Sequence, residues 1–85
     1  MCIAVFLSGN HAYHMRDYFQ MLGMSFEIVS VPAKISEGYC GTALKVPRAR
    51  IRELVKAANE QHCPVKALFI KDDMGNYFPI ALPRA

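Results

Sequence analysis

The first apolar run, Cys2-Ile3-Ala4-Val5-Phe6-Leu7, has no polar interruption, which is the pattern of a strand buried on both faces. Ser8-Gly9-Asn10 then supplies a turn and a helix start, with Asn10 as the expected N-cap. From His11, Ala12, Met15, Phe19 and Leu22 recur at steps of three and four, while Arg16, Asp17 and Gln20 fall opposite. That spacing predicts an amphipathic helix, and Gly23 is placed to close it just past its end. Ser25 to Val31 partly alternates, with Phe26 and Ile28 inward and Glu27 outward, as a half-exposed strand does. Pro32 to Gly41 has no period and reads as a loop. Thr42 to Val46 is short and β-prone.

Pro47 opens a second predicted helix at its first position, with Ile51, Leu54, Val55 and Ala58 as the buried stripe and Pro64 as its stop. Val65 to Lys71 predicts a fourth strand, its apolar run broken by Lys66. After the turn residues Asp72-Asp73-Met74-Gly75-Asn76, Tyr77 to Leu82 can return as a short fifth strand, which Pro79 confines to an edge or bulge. No repeat, linker or low-complexity segment interrupts this order.

The order β-α-β-β-α-β fits an α+β ferredoxin-like split βαβ sandwich: a four-stranded antiparallel sheet with both helices on one face. Right-handed crossovers place the strands in the order 4-1-3-2. The all-apolar first strand is then central, and the strands carrying Glu27 and Lys66 lie at the edges. A single domain over residues 1–85 follows, with a core of 2–71 and a C-terminal extension of 72–85. Because the first strand is apolar on both sides, the open sheet face is expected to meet either the tail or a second copy in a homodimer.

Composition sharpens this picture in two ways. The apolar share of 53% in 85 residues exceeds the roughly 45–50% of ordinary domains, so some apolar surface needs a cover. The net charge of +3, ten Lys and Arg against seven Asp and Glu, is too small to imply nucleic acid. Three cysteines without motif spacing make no disulfide framework. No leader pattern or membrane-length apolar run is present, so a reducing cytoplasm is expected.

The topology brings the Asn10-His11 helix start, the Pro32–Gly41 loop with Cys40, and the His62-Cys63-Pro64 corner to one end of the sandwich, with Cys2 at the other. There Cys40 is the candidate nucleophile, because helix N-termini and nearby cations favour a thiolate. His11 is a candidate base or hydrogen-bond partner, and Gly41 allows close approach to whatever the sulfur carries. Each also has a plainer reading. Cys40 can be a small residue at a strand start, and His11 a polar first-turn residue. Cys63 reads as a buried thiol before a relay, Cys2 as inert core, and His14 as solvated. The types His11, His14, Cys40 and Cys63 suit zinc, but no ligand spacing supports it. Arg48, Arg50, Arg52 and Lys56 read first as a solvated face near Glu53 and Glu60, and only weakly as an RNA surface.

Phe6-Leu7-Ser8 before His11-Ala12, Gly23 before a strand ending in Val31-Pro32, Ile35-Ser36, and Cys40-Gly41-Thr42-Ala43-Leu44 together form a further pattern. It resembles the small, stand-alone bacterial selenium/sulfur carrier-like domain over residues 2–70. The resemblance implies that Cys40 accepts sulfur or selenium as a persulfide or selenosulfide and passes it on, with no cofactor. It also implies a cysteine desulfurase or an acceptor enzyme as partner. Lys34, where arginine is expected, and the Gly75–Ala85 tail depart from the pattern. The alternatives that stay open are a non-catalytic ligand- or protein-binding module of the same fold and, more weakly, RNA binding.

Overall fold

The computed structural model describes residues 2–32 and 41–83. In chain order these form β1 (Cys2–Phe6), α1 (Gly9–Met21), β2 (Glu27–Ser30), β3 (Thr42–Val46), α2 (Ile51–Glu60), β4 (Val65–Lys71) and β5 (Tyr77–Ile80), with a 3₁₀ turn over Arg48–Arg50 leading into α2. The five strands make one sheet in the order β2-β3-β1-β4-β5, and every pairing is antiparallel. The fold is α+β and ferredoxin-like, with the tail folded back beside β4 of its own chain as the fifth strand.

β1 is central because it has apolar residues for both faces. Cys2, Ala4 and Phe6 join the helix-side core with Met15, Phe19, Leu44 and Leu54. Ile3 and Val5 join a second cluster on the opposite face with Val31, Ala43 and Phe69, against which Tyr77 of the tail packs. The pairing of β1 with β4 runs from Ala67 opposite Val5 to Val65 opposite Phe6. That step passes over Lys66, so the charge that breaks the apolar run coincides with a bulge.

The helices bury the stripes their spacing predicts: Ala12, Met15 and Phe19 on α1, and Ile51, Leu54, Val55 and Ala58 on α2. Leu22 is the exception, and lies 56% exposed because it is the C-cap, where the helical period ends. Two boundaries also differ from expectation. Ser8, not Asn10, takes the N-cap position of α1, in extended conformation and without a side-chain capping bond; Asn10 is helical and exposed. Pro47, extended at φ −60° and ψ 140°, caps the 3₁₀ turn and does not itself open α2.

Both helices end in the same hydrogen-bonded motif. In α1, Gly23 N–H donates to Gln20 O and Met24 N–H to Phe19 O; in α2, His62 N–H donates to Asn59 O and Cys63 N–H to Ala58 O. This is the Schellman arrangement, which places one residue in the left-handed region. Gly23 has φ +85° and His62 φ +60°. A side chain with a Cβ costs about 1–2 kcal/mol there, partly offset by the larger unfolded-state entropy of glycine. Gly23→Ala is therefore expected to lose about 1 kcal/mol in urea melts, and His62→Gly to gain up to about that much.

Candidate functional site

The strand registers define the two ends of the sheet. At one end Cys2 stands opposite Val46 and Ile70. At the other, Phe6 stands opposite Val65 and Ser30 opposite Thr42. The β1–α1 turn, the two described ends of the β2–β3 connection, and the α2–β4 corner all fall at this second end. Cys2 is thus remote from it, wholly buried in the core.

Gly41 is tied to this end by backbone. Val31 N–H donates to Gly41 O at 3.0 Å, which extends the β2–β3 ladder one step past Ser30 and Thr42. The next residue, Thr42, lies against the start of α1: a Cβ built on Gly9 would stand 3.5 Å from Thr42 Oγ1. The opening of β3 and the N-terminus of α1 are therefore in contact. Cys40 lies outside the described residues. Gly41 itself is exposed, has a φ that any residue can adopt, and has no described atom within 4 Å of where a Cβ would stand.

His11 occupies the first turn of α1. Its backbone N–H donates to Ser8 O at 3.2 Å, and its Nδ1 is enclosed without a hydrogen-bond partner among the described residues. A buried ring nitrogen in that condition costs stability unless a ligand or water meets it. One turn on, His14 is exposed, yet its Nε2 lies 3.3 Å from Gln61 Oε1 at the end of α2. Sequence reading missed this contact, since it depends on how the two helices pack and no local spacing signals it.

Cys63 completes the corner. It is buried, 6% exposed, and its Sγ donates to Gln61 O at 3.5 Å. Burial pushes its thiol pKa up, because an apolar surrounding disfavours the thiolate. This agrees with the buried-thiol reading and places Cys63 among thiols that react slowly at neutral pH. Among the described residues no group of three or more His, Cys, Asp or Glu is gathered as metal ligands.

The basic run starts at the opposite end, after β3. Arg48, Arg50 and Arg52 are exposed, and Arg50 Nη1 pairs with Glu53 Oε1 at 2.8 Å. Among the described residues, no helix is long and apolar enough to cross a membrane.

A family profile described as "Putative Se/S carrier protein-like" matches residues 1–70. The chain belongs to this family. No curated protein and no solved structure matches it. In this Se/S carrier-like protein the match takes in His11, Cys40 and Gly41 and stops at Ile70, one residue before the end of β4. The β4–β5 turn and β5 lie beyond it.

Proposed function

We propose that the protein is a sulfur or selenium carrier and that Cys40 is the residue that bears the chalcogen. The observation that carries this reading is family membership over residues 1–70. The contact between Thr42, two residues after Cys40, and Gly9 at the start of α1 supports it. The positive end of α1 then lies near the thiol's chain neighbours, and a helix N-terminus favours thiolate over thiol. His11, in the first turn of the same helix, has its Nδ1 enclosed without a hydrogen-bond partner among the described residues.

The reaction needs no external oxidant. The Cys40 thiolate attacks the terminal sulfur of a donor persulfide, R–S–SH, such as that of a cysteine desulfurase. A new Cys40–S bond forms, the donor S–S bond breaks, and R–S⁻ leaves with the electron pair. Delivery repeats the exchange in the other direction: an acceptor thiolate attacks the terminal sulfur and Cys40 leaves as thiolate. A terminal selenium follows the same course.

Alkylation of the native protein against pH, read for each cysteine by mass spectrometry, tests this. Cys40 is expected to react first, with an apparent pKa below the ~8.5 of a free thiol; Cys2 and Cys63 should lag because both are buried. If Cys40 is no faster than Cys63, it is not a carrier thiol. Gly41→Ala refines the test. With no described atom within 4 Å of where a Cβ on Gly41 would stand, the substitution should change stability by no more than about 1 kcal/mol, so any large fall in loading rate reports on approach to Cys40.

A further inference from the structure

We infer that the outer edge of β2 pairs with the same edge of a second copy, joining two sheets in an antiparallel homodimer. This goes beyond the carrier reading and involves neither Cys40 nor His11. Val31 N–H donates to Gly41 O. Bonding alternates along an antiparallel ladder, so Val29 with Ala43 and Glu27 with Lys45 exchange the next bonds. Ile28 and Ser30 therefore turn their N–H and C=O groups away from β3. β2 is the last strand on that side, and no hydrogen bond reaches those groups from beyond the sheet among the described residues. The other edge is less complete. Asp72 N–H donates to Asn76 O, so the same count turns Tyr77 and Pro79 outward on β5, and proline supplies no donor.

The β2 edge is complementary to itself. A two-fold axis at Val29 sets Ile28 opposite the copy's Ser30, and Ser30 opposite the copy's Ile28, so each pair exchanges both of its backbone bonds. Val29 then faces Val29, a β-branched pair that suits a strand surface. Glu27 falls opposite Val31, about 13 Å along the strand from the copy's Glu27, so like charges do not meet. The open face of the sheet offers a second copy less, because Ile3, Val5, Val31, Ala43 and Phe69 are already buried in the single chain.

α1 adds an aromatic ring near the axis. It packs on β1, β2 and β3, whereas α2 packs on β4, and His14 marks the flank of α1 that meets α2. Arg16, about 200° further round the helix, lies on the flank toward β2 and stands over the Tyr13 ring at 4.9 Å. Gly9 is level with Thr42, and so with Ser30. Tyr13, four residues on, falls about 6 Å further along, level with Ile28. The ring is 46% exposed, and the Arg16 charge beside it is paired with Asp17 at 3.0 Å. An exposed aromatic ring without net charge thus flanks the edge. Antiparallel pairing also points the Gly41 ends of the two copies in opposite directions, so each keeps its own carrier end open.

An edge pair of this length is small beside the roughly 1,000 Å² of stable interfaces, so the dimer is expected at high protein concentration. The test is sedimentation velocity on the full chain over a dilution series reaching about 1 mM, with amide exchange followed in a ¹⁵N-labelled sample. Mass should rise from monomer toward dimer, and exchange at Ile28 and Ser30 should slow in step with it. Ser30→Pro removes an outward donor and leaves the bonds to β3 in place, and should weaken association at least about tenfold. Tyr13→Ala, at an exposed position, should weaken it about three- to tenfold, and Phe78→Ser on β5 should leave it unchanged. The same spectra report whether each variant is folded, and Tyr13→Ala carries the test if Ser30→Pro is not. A monomer at every concentration, dimerisation with unchanged exchange at Ile28 and Ser30, or Phe78→Ser weakening association as much as Tyr13→Ala would each overturn the proposal.

Discussion

Cys40→Ser is expected to abolish chalcogen loading, lowering persulfide transfer from a donor by about two orders of magnitude or more. A serine hydroxyl stays protonated at neutral pH, and its oxygen forms no stable bond to sulfane sulfur equivalent to the disulfide. Retained loading in Cys40→Ser would remove Cys40 as the carrier thiol, and retained loading that disappears in Cys63→Ser would move the site there. The second outcome is disfavoured by the buried position of Cys63 and the upward push on its thiol pKa. Loading measured by mass shift, beside circular dichroism of both variants, separates lost chemistry from lost fold.

Phe19→Ala is expected to be among the most damaging single changes to the fold. Phe19 is 2% exposed, sits edge-on to Tyr18 at 5.4 Å and packs tilted on Phe26 at 4.9 Å. It joins α1 to the segment entering β2. Truncating a buried phenylalanine costs about 3–5 kcal/mol through lost burial and the cavity left behind. A domain this small holds only about 5–10 kcal/mol in all, so the variant should be largely unfolded in mild urea. A loss below about 1 kcal/mol would mean that α1 can collapse onto Phe26 without the ring.

Phe19 was legible in the sequence. Phe19 follows from the three-and-four spacing on α1, because burial on a helix depends on period and little else. The same holds for Ile51, Leu54, Val55 and Ala58; β1 was legible for its own reason, since its doubled apolar pattern places it in the centre of the sheet. Cap choice was harder to read. Ser8, Gly9 and Asn10 are all acceptable cap residues, and only the backbone tells which one leaves the extended region first. His62 was invisible for a related reason: the left-handed position that Gly23 announces at the end of α1 is taken in α2 by a residue that seldom adopts it.

At the candidate site, the sequence order alone brings Gly41, the start of α1 and the Cys63 corner to one end, since the chirality of the crossovers decides which ends coincide. The approach of Gly9 to Thr42 and of His14 to Gln61 depends on helix placement to within an ångström or two, which no spacing rule encodes. The outer edge of β2 was equally unreadable, since only its register with β3 decides which of its backbone groups turn outward.

The position of β5 has a consequence for how the protein behaves at high concentration. A chain ending at Ile70, where the family match stops, would leave β4, with its Ala67-Leu68-Phe69-Ile70 run, as a bare sheet edge. Such an edge is a template for strand addition by other chains. β5 occupies those pairing positions, with Ile80, Pro79 and Phe78 opposite Leu68, Phe69 and Ile70. Its own outer edge includes a proline, which has no N–H to offer a newcomer. The tail thereby exchanges a long apolar edge for a short interrupted one, and acts as a built-in guard against aggregation.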